Sequence, residues 1–202
     1  MKPPAALKQF TSLLKETLPA ILDKVSELTG YAATRVPLKG ASRPNKVTLA
    51  LPGYMQLDSF SRGAVAAAMV VKYFRPSARF ERIYARINPD PNWGASTKTV
   101  ARALRQFGVR VRIRSKLTFG DLCGAIDADS PVLVTIHNPR AQTDHWVVVY
   151  GYGRKPNRVF IASNGIPFFH NAVPLRKFSY IWSPRGNGLI CENRKRGRKK
   201  LS

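Results

Sequence analysis

The sequence predicts an α+β domain in which helices pack against an antiparallel sheet. Helix-spaced apolar residues fill the first half of the body. Alternating or continuous apolar runs of strand length dominate the second half. Helices ahead of strands, rather than in strict alternation with them, are the pattern of an α+β fold.

From Pro4 to about Thr29, Leu7, Phe10, Leu13, Leu14, Ile21, Leu22, Val25 and Leu28 recur at three- and four-residue steps. Residues 1–30 therefore read as an amphipathic helical extension, with Pro19 in the first turn of a second short helix that Thr17 caps. Residues 31–53, punctuated by Pro37, Gly40, Pro44 and Pro52, read as an extended connector. The body is assigned to 54–187 and a basic tail to 188–202.

Within the body, Gly63–Phe74 is apolar almost throughout, which predicts a helix buried on most sides, stopped by Pro76. Phe80, Ile83, Tyr84 and Ile87 make one face of a second helix. Ser96 or Thr97 caps a third, with Val100, Leu104 and Phe107 inward and Gly108 at its end. The run 109–114, Val-Arg-Val-Arg-Ile-Arg, alternates strictly and predicts a half-buried strand. Thr118 opens another helix. Strands follow at Pro131–His137, His145–Tyr152 and Arg158–Ala162.

Lys and Arg number 34 against 11 acidic residues, a formal net charge of +23. Six cations against one Glu in 188–202, and four against three acids in 1–30, leave +17 on residues 31–187. Such an imbalance repels itself and points to an anionic partner, nucleic acid being the commonest, with acidic protein and anionic membrane surface as the others. Arg110, Arg112 and Arg114 share one face of their strand at about 6–7 Å spacing, and Arg102, Arg105 and Lys116 extend the patch. Arg194, Lys195, Arg196, Arg198, Lys199 and Lys200 form a basic arm. No zinc, redox or cofactor motif accompanies them, so neither a metal nor a cofactor is expected. Neither a signal peptide nor a membrane-length apolar run is read, and an intracellular setting, or a phage or virion one, is expected.

The most specific motif is His145-Trp146-Val147-Val148-Val149-Tyr150-Gly151-Tyr152, and it follows a weaker one, Gln56 six residues before Arg62-Gly63-Ala64 at the start of the apolar helix. In that order, with Val159-Phe160-Ile161-Ala162 after them, the run from Gln56 to Trp182 resembles the papain-like cysteine peptidases that process double-glycine leader peptides in bacteriocin export. The resemblance implies a papain-like fold and a cleft for peptide or protein. It implies that Gln56 is the oxyanion donor, His145 the general base, and Ser163 or Asn164 the residue orienting its imidazole. At the nucleophile's position, where that family has cysteine, this chain has Arg62.

A guanidinium stays protonated and offers no lone pair for attack. The expectation is a catalytically inactive homologue that binds, with Gln56, Arg62 and His145 forming an anion-accepting groove. The alternative is a hydrolase in which Ser61, one residue earlier, serves as nucleophile with His145.

Overall fold

A computed structural model describes residues 45–54, 60–138, 143–163, 170–182 and 186–193. The N-terminal extension, Gln56, Asn164 and the arm beyond Asn193 lie outside the described residues, and with them the expectations placed there.

The chain runs β1 (Lys46–Thr48), α1 (Arg62–Phe74), α2 (Phe80–Ile87), α3 (Thr97–Gln106), β2 (Val109–Arg114), α4 (Phe119–Asp127), β3 (Val132–Asn138), β4 (Thr143–Arg154), β5 (Asn157–Ala162), β6 (His170–Pro174), α5 (Leu175–Ile181) and β7 (Gly188–Asn193). Every strand pairing is antiparallel. The sheet is ordered β2-β7-β3-β4-β5-β6, with β1 paired to β4 beyond the end of β3. The predicted α+β architecture, with the opening helix laid on an antiparallel sheet, is the observed one.

Local chemistry explains the helix starts that matter for the site. Ser96 caps α3 by accepting the Thr99 N–H. Thr118 and Asp121 make a reciprocal capping box at α4. α1 has no side-chain cap and is held instead by packing, since Gly63 to Val71 are all buried. Its side chains join Ile83, Val100 and Leu104 of α2 and α3 against Leu133, Val148, Tyr150, Tyr152, Leu189 and Cys191 on one face of the sheet. The opposite face buries Val134, Val147, Val149, Val159, Ile161 and Ile190 against Phe178 of α5 and Trp182. At roughly 1.5–3 kcal/mol for each fully buried Val, Leu, Ile or Met side chain, these two layers are the main source of stability.

Two predicted boundaries move. Residues 188–193, assigned by composition to the basic tail, are β7, inserted between β2 and β3 with Leu189, Ile190 and Cys191 buried. The end of the predicted connector is likewise structural: β1 lies on β4, and Leu49 and Leu51 enter the core. β6 and α5 add elements that no sequence pattern announced.

Candidate functional site

Three segments meet at the N-terminus of α1. Arg62 Nη1 donates to the backbone carbonyl of Asp144, 3.1 Å away, tying the helix start to the beginning of β4. The next residue has to be small: a Cβ on Gly63 would lie 3.0 Å from Ala95 Cβ and 3.2 Å from both Trp146 Cδ1 and Val100 Cγ2. Trp146 Nε1 donates to the Ala95 carbonyl at 3.2 Å, closing the packing between β4 and the turn that precedes α3.

That turn is built to a fixed shape. Asp90 and Gly94 exchange both backbone hydrogen bonds at 2.8 Å, and Asp90 Oδ1 accepts the N–H groups of Asn92 (2.8 Å) and Trp93 (2.9 Å). Gly94 has φ +70°, and a Cβ there would stand 3.0 Å from the Phe60 carbonyl, so the position is glycine's for conformational and steric reasons. The result presents Trp93 to solvent, 90% exposed.

Between this turn, the start of α1 and the β3–β4 pair lies a cleft of about 320 Å³, reached by Arg62, Trp93, Thr97, Thr135, Asp144 and Trp146. A second cleft of about 240 Å³ adjoins it and shares Thr97, Thr135 and Trp146. Its lining adds Ile113, Arg114, Leu133, Leu189 and Asn187. The two form one groove, with Arg62 at one end and both apolar side chains and Arg114 at the Ile113 end.

Of the sequence-predicted residues, Arg62 and Arg114 lie in this groove, in its first and second clefts respectively. His145 does not line it. In the register it faces Ile136, and strand alternation sets it with Val147, opposite to Trp146 and Asp144. Ser163 directly follows Ala162, the β5 residue paired with Val148. Ser61 is only 2% exposed, and its carbonyl accepts the Val65 N–H at 2.9 Å. Cys123 and Cys191 are both buried, and burial pushes the Cys191 thiol well above the usual range for cysteine, so it stays neutral and unreactive. No cluster of metal-ligating side chains occurs among the described residues.

The sequence reading missed Trp93, Thr135 and the His137–Asp144 pair, whose Nδ1 and Oδ1 are 3.0 Å apart. The signal for the pair was only positional: His137 and Asp144 sit opposite each other in the β3–β4 ladder. An aromatic inside a Pro/Asn/Gly turn was the available hint for Trp93.

The arginine strip is present but not unopposed. Arg110 and Arg112 both reach Glu192 of β7, at 3.5 and 2.6 Å, an acid that adjacency in sequence did not reveal. Arg105 Nη2 donates to the Val111 carbonyl at 3.1 Å. Arg102, Arg114 and Lys116 are exposed, and Arg114 also lines the second cleft.

An uncapped apolar helix whose first residue enters a cleft against an antiparallel sheet is the architecture of papain-like peptidase domains. The chain belongs to the Peptidase C39 family, whose model matches residues 51–196. Solved structures agree on the fold. A double-glycine motif protease from an AMS/PCAT transporter, crystallised with the leader peptide, is 18% identical with a TM-score of 0.56, covering 73% of this chain and 94% of its own. The peptidase domain of Streptococcus ComA, a bifunctional ABC transporter of a quorum-sensing pathway, is 17% identical with a TM-score of 0.54 (69% and 96% covered). A C39-like peptidase from Bacillus anthracis is 15% identical with a TM-score of 0.58 (74% and 98% covered). No curated protein matches the chain.

Proposed function

We propose that this chain is a non-catalytic member of the C39 family that binds peptide or protein in the groove beside α1. One observation carries the reading: the side chain that α1 delivers to the cleft is the guanidinium of Arg62, which cannot attack a carbonyl. The near-complete burial of Ser61, Cys123 and Cys191 supports it, because none of the three is presented to a substrate. A relative of the same fold crystallised with its leader peptide supports peptide as the class of ligand. Gln56 and His145 are then inherited site positions, with Ser163 or Asn164 as the vestige of the orienting residue.

The excess positive charge supports an acidic or nucleic-acid setting for the complex, of the kind found inside a phage or virion or on an intracellular nucleic-acid assembly. The basic surface brings the domain there, and the groove takes the peptide.

The test is labelling with thiol- and serine-directed activity probes. Wild type is expected to remain unlabelled, as is His145→Ala. Covalent labelling at Ser61 that disappears in His145→Ala would replace this reading with an active hydrolase using a shifted nucleophile.

A further inference from the structure

We infer that β2, at the edge of the sheet, holds the phosphodiester backbone of a nucleic acid through Arg110, Arg112 and Arg114, with Arg105 beside them. The inference rests on the nucleic-acid part of the reading above and gives it a place in the fold.

The first observation is the distribution of charge around the strand. Residues 102–116 carry Arg102, Arg105, Arg110, Arg112, Arg114 and Lys116 and no acid, and all six are exposed. Among the described residues Glu192 is the one acid ion-paired to them, 3.5 Å from Arg110 and 2.6 Å from Arg112. Asp121 lies in the field of Arg114, but its carboxylate is bound by the N–H and hydroxyl of Thr118. The edge therefore keeps a net positive charge whichever guanidinium Glu192 engages. Glu192 also shows what the strip accepts. One anion with two oxygens bridges two neighbouring guanidinium groups, Oε1 on Arg112 and Oε2 on Arg110. The two free oxygens of a phosphodiester offer the same fork.

The second observation is that this edge is closed to another strand. Cys191 donates its N–H to the Pro131 carbonyl at 3.0 Å, so it turns away from Val111, its partner in β2. Val111 therefore turns its own N–H and carbonyl to the outer edge, where Arg105 Nη2 takes the carbonyl at 3.1 Å. Val111 is only 7% exposed, so an acidic peptide cannot add to the sheet there. Without that ladder, each of its carboxylates is held at the cost of its own side-chain freedom. A second copy of β2 would set arginine against arginine. A nucleic acid carries its charges in its backbone and needs no ladder. Arg110, Arg112 and Arg114 stand about 6–7 Å apart on the Ile190 face of the sheet. Arg105 reaches the edge from α3 on the other face, so a backbone following β2 meets cations from both sides.

Binding is followed by the fluorescence anisotropy of a labelled oligothymidine and of a labelled duplex, titrated with salt. Arg110→Gln, Arg112→Gln and Arg114→Gln together should lower the slope of log affinity against log salt by about 2.1 for the single strand or about 2.7 for the duplex. The probe that shows the drop identifies the source of the phosphates. Arg158→Gln, Arg176→Gln and Lys177→Gln together remove the same charge from β5 and α5, and should lower the slope by less than half as much. Arg114 also lines the second cleft, so the Arg110→Gln/Arg112→Gln pair repeats the test without touching the peptide groove. Glu192→Gln should tighten binding severalfold at low salt. The replaced cations are exposed, and circular dichroism checks that the variants fold.

Equal drops from the two triple variants, or an affinity unchanged in Glu192→Gln, overturn the inference and leave a nucleic-acid setting carried by net charge alone. Binding of neither probe by wild type overturns both. Polyglutamate that displaces the labelled oligothymidine as well as the unlabelled oligothymidine does assigns the strip to an acidic protein and also overturns the inference.

Discussion

At the scale of single residues, position 62 stands where α1, β4 and the Asp90–Gly94 turn converge, and the proposed loss of catalysis is argued from its side chain. A thiol there would be lowered in pKa by the helix N-terminus; the guanidinium instead adds a positive charge to the same field. Residue-scale logic also governs the start of α4. The Thr118 hydroxyl, more than its backbone N–H, holds the Asp121 carboxyl below the usual carboxylate range. Because that folded-state pKa is depressed, the stabilisation is present above the ordinary carboxylate pKa and is lost as pH falls through the depressed one. Thr118→Ala should cost about 1 kcal/mol at neutral pH, and the loss should shrink on acidification. Thermal unfolding from neutral pH to below pH ~4 checks this; a penalty independent of pH would mean the box is not the stabilising contact. Tyr152 behaves in the opposite sense. Burial, helped by the bond its hydroxyl donates to Asp127 at 2.6 Å, raises its pKa, so its contribution is intact at neutral pH and is lost as pH rises through the elevated value.

At the scale of elements, β1 and β2 make the clearest predictions. β1 crosses Gly151 so closely that a Cβ there would stand 2.6 Å from the Val47 carbonyl and 2.8 Å from Thr48 Cγ2. Gly151→Ala should cost about 1–3 kcal/mol and speed amide exchange at Leu49, whose N–H bonds the Tyr150 carbonyl at 2.7 Å. Unchanged exchange at Leu49 would show that the strand yields without detaching. On β2, Glu192→Gln releases Arg110 and Arg112 and should delay elution from heparin by more than Glu81→Gln, which changes net charge equally on α2. Equal shifts would dismiss the strip as a polyanion surface.

The same elements show what the sequence discloses. α3, β2 and α4 were legible because their signals are local: caps, a terminal glycine and strict alternation. β1, β6 and β7 were not, since each is a short segment made a strand by the ladder it joins. Arg62 was legible from its spacing to Gln56. Trp93 and the His137–Asp144 pair were not, because turn geometry and cross-strand register bring them to the groove. Glu192 was the costliest omission, since it counters two arginines that seem unopposed along the chain.

For the whole molecule, charge is the dominant variable. No described helix is long and apolar enough to cross a membrane, and the sequence carries +23. Self-repulsion at that level is relieved by screening, so thermal stability should rise between low salt and about 0.15 M, where the Debye length falls to about 8 Å. If the basic surface takes nucleic acid as proposed, oligonucleotide affinity falls linearly on a log–log plot against salt over the same range. A melting temperature insensitive to salt would mean that the cations are already locally paired.

The position of β7 has a consequence for biosynthesis. β2 and β3 are separated by a slot one strand wide, and the segment that fills it leaves the ribosome after every other part of the sheet. The nascent polypeptide must therefore hold that gap open, with the apolar rows of both flanking strands unsealed, until Asn193 clears the exit tunnel. A stalled chain ending at Asn187 should bind chaperones and resist compaction, whereas one that continues past Asn193 and frees the last strand should become protease-resistant in a single step.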